Sequence, residues 1–180
     1  GDPHVPFNKE NQELVVSLCR AYTPEGIVRD AKPNSFNEMT PFDLEKAPAY
    51  TSWREMVITK GGLDLNAVVE LEYTITDKRP WRKVLEGVVV LQDSAPALVR
   101  EVSVAAPAGT PIRCRLFGWD AQPVSGGGGC TVTLKNVPGL DMTQAHGLSA
   151  EFLPTFVFTT APDWKSHADR LGAAVETAAA

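Results

Sequence analysis

The sequence has few of the residues that most often carry enzyme chemistry, with three cysteines and three histidines among 180 residues. His4, His146 and His167 lie too far apart to form a metal-ligand motif, and no paired-cysteine motif accompanies them. There is no Gly-x-Ser-x-Gly turn of the kind that presents a catalytic serine. These absences argue against a zinc site and a serine hydrolase. We expect no catalytic residue, no metal site and no cofactor in this chain.

The sequence also lacks a block of basic residues and a long apolar run. Its 17 lysines and arginines are outnumbered by 22 acidic residues, so the formal net charge is −5. Nucleic-acid binding needs clustered lysine and arginine. The nearest cluster, residues 78–83, lies where two strands should be joined and is interpreted as a solvated turn. No apolar run approaches the roughly 20 residues of a membrane helix. We predict neither a nucleic-acid partner nor a membrane span in this segment.

The three cysteines cannot all be paired within one chain. Cys114 and Cys130 alternate in phase with apolar neighbours, so both are interpreted as small buried hydrophobic side chains. Cys19 also lies in a strand-like run. A thiol hydrolase needs a cysteine at a helix start, with a histidine within hydrogen-bond reach. None of the three cysteines has that setting, and the redox compartment stays open.

Proline, glycine, valine and threonine are abundant, which favours β structure with many turns. The clearest alternation spans residues 67–76, where Val69, Leu71, Tyr73 and Ile75 share the face predicted to be buried. Further strands are predicted at residues 12–21, 27–30, 52–60, 84–92, 98–105, 112–117, 131–136 and 155–160. Regularly spaced short strands without helices between them predict an all-β fold, an antiparallel β-sandwich of about eight short strands.

Three connections are predicted from turn residues and composition. Residues 23–26 read Thr-Pro-Glu-Gly, a type I turn that closes a first hairpin. Residues 61–66 should join the strands 52–60 and 67–76 as a second hairpin. The glycine run at 126–129 is interpreted as a mobile loop tip, because no helix or Lys-Ser pair follows to make a phosphate cradle.

Residues 32–50 show neither a helical nor a strand period, yet they are rich in large apolar side chains. These side chains are Phe36, Met39, Phe42, Leu44 and Tyr50. A solvated linker would leave this apolar area in water at a cost of roughly 25 cal/mol per Å². We therefore expect a segment that packs over the edge or face of a sheet.

The period changes after residue 160. Residues 160–163 fit a capping box, and Trp164, Ala168, Leu171 and Val175 then fall on one narrow stripe of an amphipathic C-terminal helix. We assign residues 1–160 to a β-sandwich domain. Residues 161–180 are assigned to a helix that connects to a following domain.

Aromatic side chains are the candidate ligand or domain-interface residues. Tyr50, Trp53 and Tyr73 are expected to meet across the second hairpin, while Trp81 and Trp119 lie in turns and Trp164 opens the helix. Aromatic rings at a sandwich edge can stack on sugars, and packing explains the same residues equally well.

Short segments, in order along the chain, resemble the uncharacterised β domain that precedes the catalytic core in bacterial transglutaminase-like proteins. They are Asn37-Glu38-Met39-Thr40-Pro41, Ala47-Pro48-Ala49-Tyr50, Arg54-Glu55-Met56-Val57, Gly62-Leu63-Asp64, Val69-Glu70-Leu71-Glu72-Tyr73 and Phe158-Thr159-Thr160-Ala161-Pro162-Asp163-Trp164. The likeness extends from about Leu14 to Arg170. One departure is that the family has at least one strand earlier than this chain offers before Gln12.

The resemblance implies a non-catalytic accessory domain, for interaction or substrate positioning, in a bacterial transglutaminase-like protein. The family's Cys-His-Asp residues lie downstream of its Trp-bearing helix, so no catalytic residue is carried over to this chain. The implied partner is a downstream transglutaminase-like domain of the same polypeptide, with protein or glycan as further candidates. The implied location is periplasmic or otherwise extracytoplasmic. The chain starts at Gly1 without methionine, and we expect it to be a fragment. The alternatives are a carbohydrate- or ligand-binding sandwich and a stand-alone cysteine hydrolase.

Overall fold

The computed structural model describes residues 2–47, 52–59, 66–78, 84–140 and 153–179, and within them the chain forms twelve strands and one α-helix. The strands are β1 His4–Asn8, β2 Gln12–Tyr22, β3 Val28–Asp30, β4 Phe36–Met39, β5 Trp53–Ile58, β6 Val68–Asp77, β7 Glu86–Val90, β8 Ala97–Ala105, β9 Arg113–Phe117, β10 Val124–Gly126, β11 Gly129–Val137 and β12 Thr155–Thr159. The helix, α1, spans Trp164–Ala179, and two 3₁₀ turns lie at Pro33–Ser35 and Phe42–Leu44. The predicted all-β class with a C-terminal helix is confirmed.

The strands form four antiparallel sheets that belong to two compact units. The N-terminal unit, Gly1–Trp81, contains the sheets β1-β5-β4 and β3-β2-β6. The C-terminal unit, Arg82–Ala180, contains β10-β11-β8, β7-β12-β9 and α1. The boundary therefore falls inside the segment 1–160 that the sequence assigns to one domain. The connector role of residues 161–180 stays a prediction.

The first predicted hairpin is confirmed. β2 pairs with β3, and the Gly26 N–H donates to the Thr23 carbonyl at 2.9 Å across the turn. Gly26 has φ +82°, a conformation that glycine adopts without steric cost. Thr23 is buried, and its hydroxyl accepts a hydrogen bond from the Ile27 N–H at 3.2 Å. A composition-based turn signature thus identified a real turn.

The second predicted hairpin is wrong. β5 lies between β1 and β4, so both of its hydrogen-bonding edges are occupied, and β6 pairs with β2 instead. β6 pairs with no second strand among the described residues, which leaves it at a sheet edge. Its Tyr73 is 49% exposed rather than buried, whereas Val69, Leu71 and Ile75 are half-buried.

The N-terminus supplies a strand that the sequence interpretation missed. β1 buries Val5 and Phe7 and pairs with β5, so the expectation that no strand precedes Gln12 is wrong. Pro6 obscured the pattern, because proline weakens a strand prediction. β1 is nevertheless an edge strand among the described residues, a position that tolerates proline.

The apolar segment 32–50 is more ordered and less buried than expected. Its first part forms β4, which pairs with β5, and Phe36 and Leu44 are half-buried. Met39 and Phe42 are exposed, Phe42 by 82%. The prediction that this whole segment packs against a sheet is therefore wrong for these two side chains, and Tyr50 lies outside the described residues.

The core of the C-terminal unit lies between its two sheets. Alternate residues of β11 point inward and meet β9 and β12 from the opposite sheet. The buried cluster consists of Leu91, Leu116, Cys130, Val132, Leu134, Val137 and Phe156. Asn136, at φ +53°, interrupts the alternation, so that Val137 is buried instead of Asn136. Two sheets that share one apolar layer make this unit a small β-sandwich.

Two local predictions in the C-terminal unit need correction. Cys114 on β9 and Cys130 on β11 form a disulfide between the two sheets, so they are not free thiols, and Cys19 is buried and free. Alternation placed both cysteines inward but could not show that they face each other. The glycine run is a tight hairpin turn rather than a loose tip. Gly127 and Gly128 both have positive φ, as a type I′ turn requires, and Gly126 pairs with Gly129.

The helix α1 begins with a side-chain cap. Oδ1 of Asp163 accepts a hydrogen bond from the Ser166 N–H at 2.7 Å, so Asp163 is the capping residue rather than Thr160. The predicted apolar stripe does not face the sheet, because Ala168, Leu171 and Val175 are exposed. The helix instead contacts β7 through polar side chains.

Candidate functional site

The structure does not bring the predicted aromatic residues together across a hairpin. Trp53 lies on β5 opposite Asn8, and Tyr73 lies on β6 opposite Val16, so the two rings belong to different sheets. Both are about half exposed. Tyr50, Trp81 and the side chain of Trp164 lie outside the described part of the structure.

Trp119 follows β9 and packs against the buried cluster of the C-terminal unit. Its ring is half-buried. Core packing therefore accounts for this tryptophan without a ligand.

A groove runs over the outer face of the sheet β7-β12-β9, with a volume of about 750 Å³, a size typical of ligand pockets. Strand register places two rows on this face: Glu86, Thr159 and Arg113 in one, and Val88, Val157 and Arg115 in the next. Val88 is 67% exposed and Val157 half-buried, so the floor of the groove is aliphatic. The opposite face of the same sheet carries the buried Leu116 and Phe156.

One end of the groove is closed by α1 through a charged cluster. Nη2 of Arg170 donates to both carboxylate oxygens of Glu86, at 2.8 and 3.0 Å, and to Nδ1 of His167 at 2.8 Å. Nδ1 of His167 also lies 3.6 Å from Oε2 of Glu86, so the imidazole belongs to the same cluster. The carboxylate of Glu86 is therefore neutralised within the protein.

The carboxylate of Asp163, at the same end, is also engaged. Hydrogen bonds from the backbone N–H and the hydroxyl of Ser166 hold the pKa of Asp163 below its ordinary value, with a smaller contribution from the charge of Arg113. The two acidic residues beside the groove thus both accept hydrogen bonds within the protein, Glu86 from Arg170 and Asp163 from Ser166.

The arginines of β9 carry the positive charge on one side of the groove. Arg113 donates to the Ala161 carbonyl, and the guanidinium of Arg115 lies 4.8 Å from the centre of the Phe117 ring. Among the described residues neither guanidinium forms an ion pair with a carboxylate. The groove therefore combines an aliphatic floor with positive charge along one side. Sequence reasoning missed it, although Arg113, Arg115 and Phe117 share a period of two that would have placed them on one face.

A second cavity, of about 660 Å³, lies in the N-terminal unit beside Cys19, Arg20 and Asp30. The Arg20 Nε donates to Asp30 at 2.7 Å, and this hydrogen bond raises the pKa of the guanidinium. No histidine lines the described part of this cavity, so Cys19 has no imidazole base beside it there. The cavity shows no arrangement for nucleophilic catalysis.

The described residues contain no group of three or more His, Cys, Asp or Glu side chains placed to hold a metal ion. His4 pairs with Glu55 at 3.0 Å, but no third ligand completes that pair within the described ranges. In the same part of the chain, no helix is long and apolar enough to span a membrane.

The sequence matches the family described as "Domain of Unknown Function with solved-structure structure (DUF3857)" over residues 1–139. This match covers well over half of the chain, so the protein is a member of the DUF3857 family. No curated protein matches the sequence.

The fold is similar to that of a solved structure from Parabacteroides distasonis ATCC 8503, described as a putative protease. The TM-score is 0.80 and the sequence identity is 30% over 92% of this chain. The alignment covers 34% of the Parabacteroides chain, so this chain spans about a third of that protein.

Proposed function

We propose that this chain is a non-catalytic accessory domain of a longer bacterial protein that carries a papain-like, transglutaminase-like core. The observation that carries the proposal is the asymmetry of the structural match, which covers 92% of this chain but 34% of the Parabacteroides protein. The same fold thus occurs there within a much longer chain. The resemblance of residues 158–164 to the family segment that leads into a catalytic core supports the same interpretation.

The chemistry of the described residues supports a role in binding or positioning. Two of the three cysteines form a disulfide, and the free Cys19 is 8% exposed. The groove on the C-terminal unit offers a surface for contact and no nucleophile-base pair. The accessory domain would therefore act by holding a partner or substrate near the catalytic core.

The disulfide also supports a periplasmic or extracytoplasmic location, because such bonds persist mainly in oxidising compartments. Alkylation of denatured, unreduced protein isolated from its native host, followed by peptide mapping of residues 1–180, tests this proposal. Of the three cysteines in this segment, only Cys19 is expected to be alkylated. Alkylation of Cys114 and Cys130 would overturn the proposed location.

The accessory role is tested first by the open reading frame, which should encode a Cys-His-Asp core after this segment. The full protein is then compared with a form that lacks residues 1–180. We expect KM for a protein substrate to rise while turnover of a small amide substrate stays unchanged. An open reading frame without such a core, or an unchanged KM, would contradict the proposal.

A carbohydrate-binding role is the alternative that the sequence raised. Trp53 and Tyr73 lie on strands of different sheets rather than on one hairpin, and Trp119 packs against the buried cluster of the C-terminal unit. Titration with glycans in solution separates the two functions. Only a sugar-binding module would show glycan-dependent quenching of its tryptophan fluorescence.

A further inference from the structure

The groove over β7-β12-β9 has two arginines on β9 and aliphatic side chains opposite one of them. Val88 lies in register with Val157 and Arg115, so one row passes from an exposed valine on β7 to an exposed arginine on β9. In this row the apolar contact and the positive charge therefore lie on opposite edge strands of one small sheet.

The arginines repeat with the period of an extended chain. Arg113 and Arg115 are two residues apart on a strand, so their Cα atoms are separated by roughly 7 Å. Carboxylates at alternate positions of an extended peptide have the same spacing. The side chains between them point to the opposite edge of the peptide, where Val88 and Val157 offer aliphatic contact.

Arg115 forms no ion pair with a carboxylate among the residues that the structure describes, whereas the charge of Arg113 also acts on Asp163. Glu86 is neutralised by Arg170, and Asp163 accepts the Ser166 N–H as the helix cap. Arg115 stacks on Phe117, an arrangement that orients the guanidinium and leaves its edge donors free to bind a carboxylate.

We propose that this groove binds an extended peptide segment in which acidic residues alternate with aliphatic ones. The acidic side chains bind Arg113 and Arg115, and the aliphatic side chains lie on Val88 and Val157. This inference concerns the chain alone and needs no following domain. Its failure would therefore leave the accessory role standing.

The full 180-residue chain is titrated with two blocked pentapeptides, Val-Glu-Val-Glu-Val and Val-Gln-Val-Gln-Val, while backbone amide resonances are followed by NMR. We expect the acidic peptide to shift the resonances of β7, β9 and β12. The glutamine peptide should bind at least about tenfold more weakly, because each carboxylate–guanidinium hydrogen bond is lost. Added salt should weaken binding of the acidic peptide.

Two variants with matched controls locate the site. Val88→Asp places a negative charge on the groove floor and should abolish binding, whereas Val124→Asp, at a similarly exposed valine on β10, should leave it unchanged. Arg115→Gln should weaken binding about tenfold, and Lys135→Gln, on β11, should have no effect. Both groove positions are exposed, so the variants are expected to fold.

Equal affinity for the two peptides would overturn the proposal, as would shifts confined to other strands or full binding by Val88→Asp. Self-association in sedimentation experiments that Val88→Asp abolishes, without any peptide binding, would also overturn it. That result would identify a second copy of the chain as the occupant.

Discussion

Leu134 and Leu98 are the same residue type in opposite environments within one pair of strands. Leu134 on β11 is 1% exposed in the core, and Leu98 on β8 is 82% exposed. Leu134→Ala should lower the free energy of unfolding by about 2–5 kcal/mol, because it leaves a cavity. Leu98→Ala should change it by less than about 0.5 kcal/mol. Urea unfolding followed by amide resonances of the C-terminal unit measures both, and equal losses would show that the inward face is misassigned.

The carboxylate of Asp163 stabilises the N-terminal end of α1. Its hydrogen bond from Ser166 lowers its pKa, so the charged cap contributes stability above the ordinary pKa of an aspartate. That contribution is lost as the pH falls through the lowered folded-state pKa. We expect the Ser166 amide resonance to titrate in this acidic window.

The Asp163→Asn variant is the control for this titration. Asparagine caps a helix without titrating, so the Ser166 amide of the variant should not respond to the same change in pH. A response identical to that of the unmodified chain would mean that another group titrates there.

The β10–β11 hairpin depends on glycine at defined positions. Gly128 has φ +83°, where a Cβ costs about 1–2 kcal/mol, whereas Gly126 has an ordinary conformation and open space around its Cα. Gly128→Ala should therefore destabilise the C-terminal unit and Gly126→Ala should not. Thermal unfolding of the two variants makes the comparison. Equal melting temperatures would argue against the type I′ turn.

The helix α1 is held at its start and along one polar face. The Asp163 cap and the Arg170–Glu86 contact lie in its first half, while Leu171 and Val175 are exposed. We expect amide hydrogen exchange to be slow up to Arg170 and to accelerate beyond Leu171. Uniform protection along the helix would contradict this expectation and the connector role together.

Two charge-neutralising variants test which contact holds the helix. Glu86→Gln should accelerate exchange up to Arg170, because it weakens the contact between α1 and β7. Asp169→Asn breaks the exposed Lys165–Asp169 pair and should have little effect, since such surface pairs contribute little.

The whole chain is expected to lack transamidase, protease and esterase activity. Two cysteines are bonded to each other, and the cavity beside the free Cys19 shows no histidine among its described residues. Turnover of amide, ester and glutamine-donor substrates by the 180-residue protein is compared with that of Cys19→Ala. Any activity that disappears in the variant would refute this prediction and favour a cysteine hydrolase.

Local sequence patterns predicted the positions of elements that can be recognised without knowing which strand pairs with which. Strands β7, β8, β9, β11 and β12 follow from alternation between turn residues, and the Thr23–Gly26 turn follows from its proline and glycine. The presence of a C-terminal helix follows from the change of period, although its cap is Asp163 rather than the predicted Thr160. These are properties of short stretches of chain, because period and turn chemistry act over a few residues.

The tertiary structure decided which strands pair with each other and which side chains come into contact. Alternation showed that Cys114 and Cys130 point inward, yet only the packing of two sheets made them a disulfide. The same holds for β5, which pairs with β1 and β4 rather than β6, and for the groove that places Arg115 in register with Val88. Sequence by itself determined the all-β class, most strands and the helix, since these depend on local periodicity. Sheet order, the disulfide and the candidate site depend on contacts between residues far apart in the chain, which no local pattern encodes.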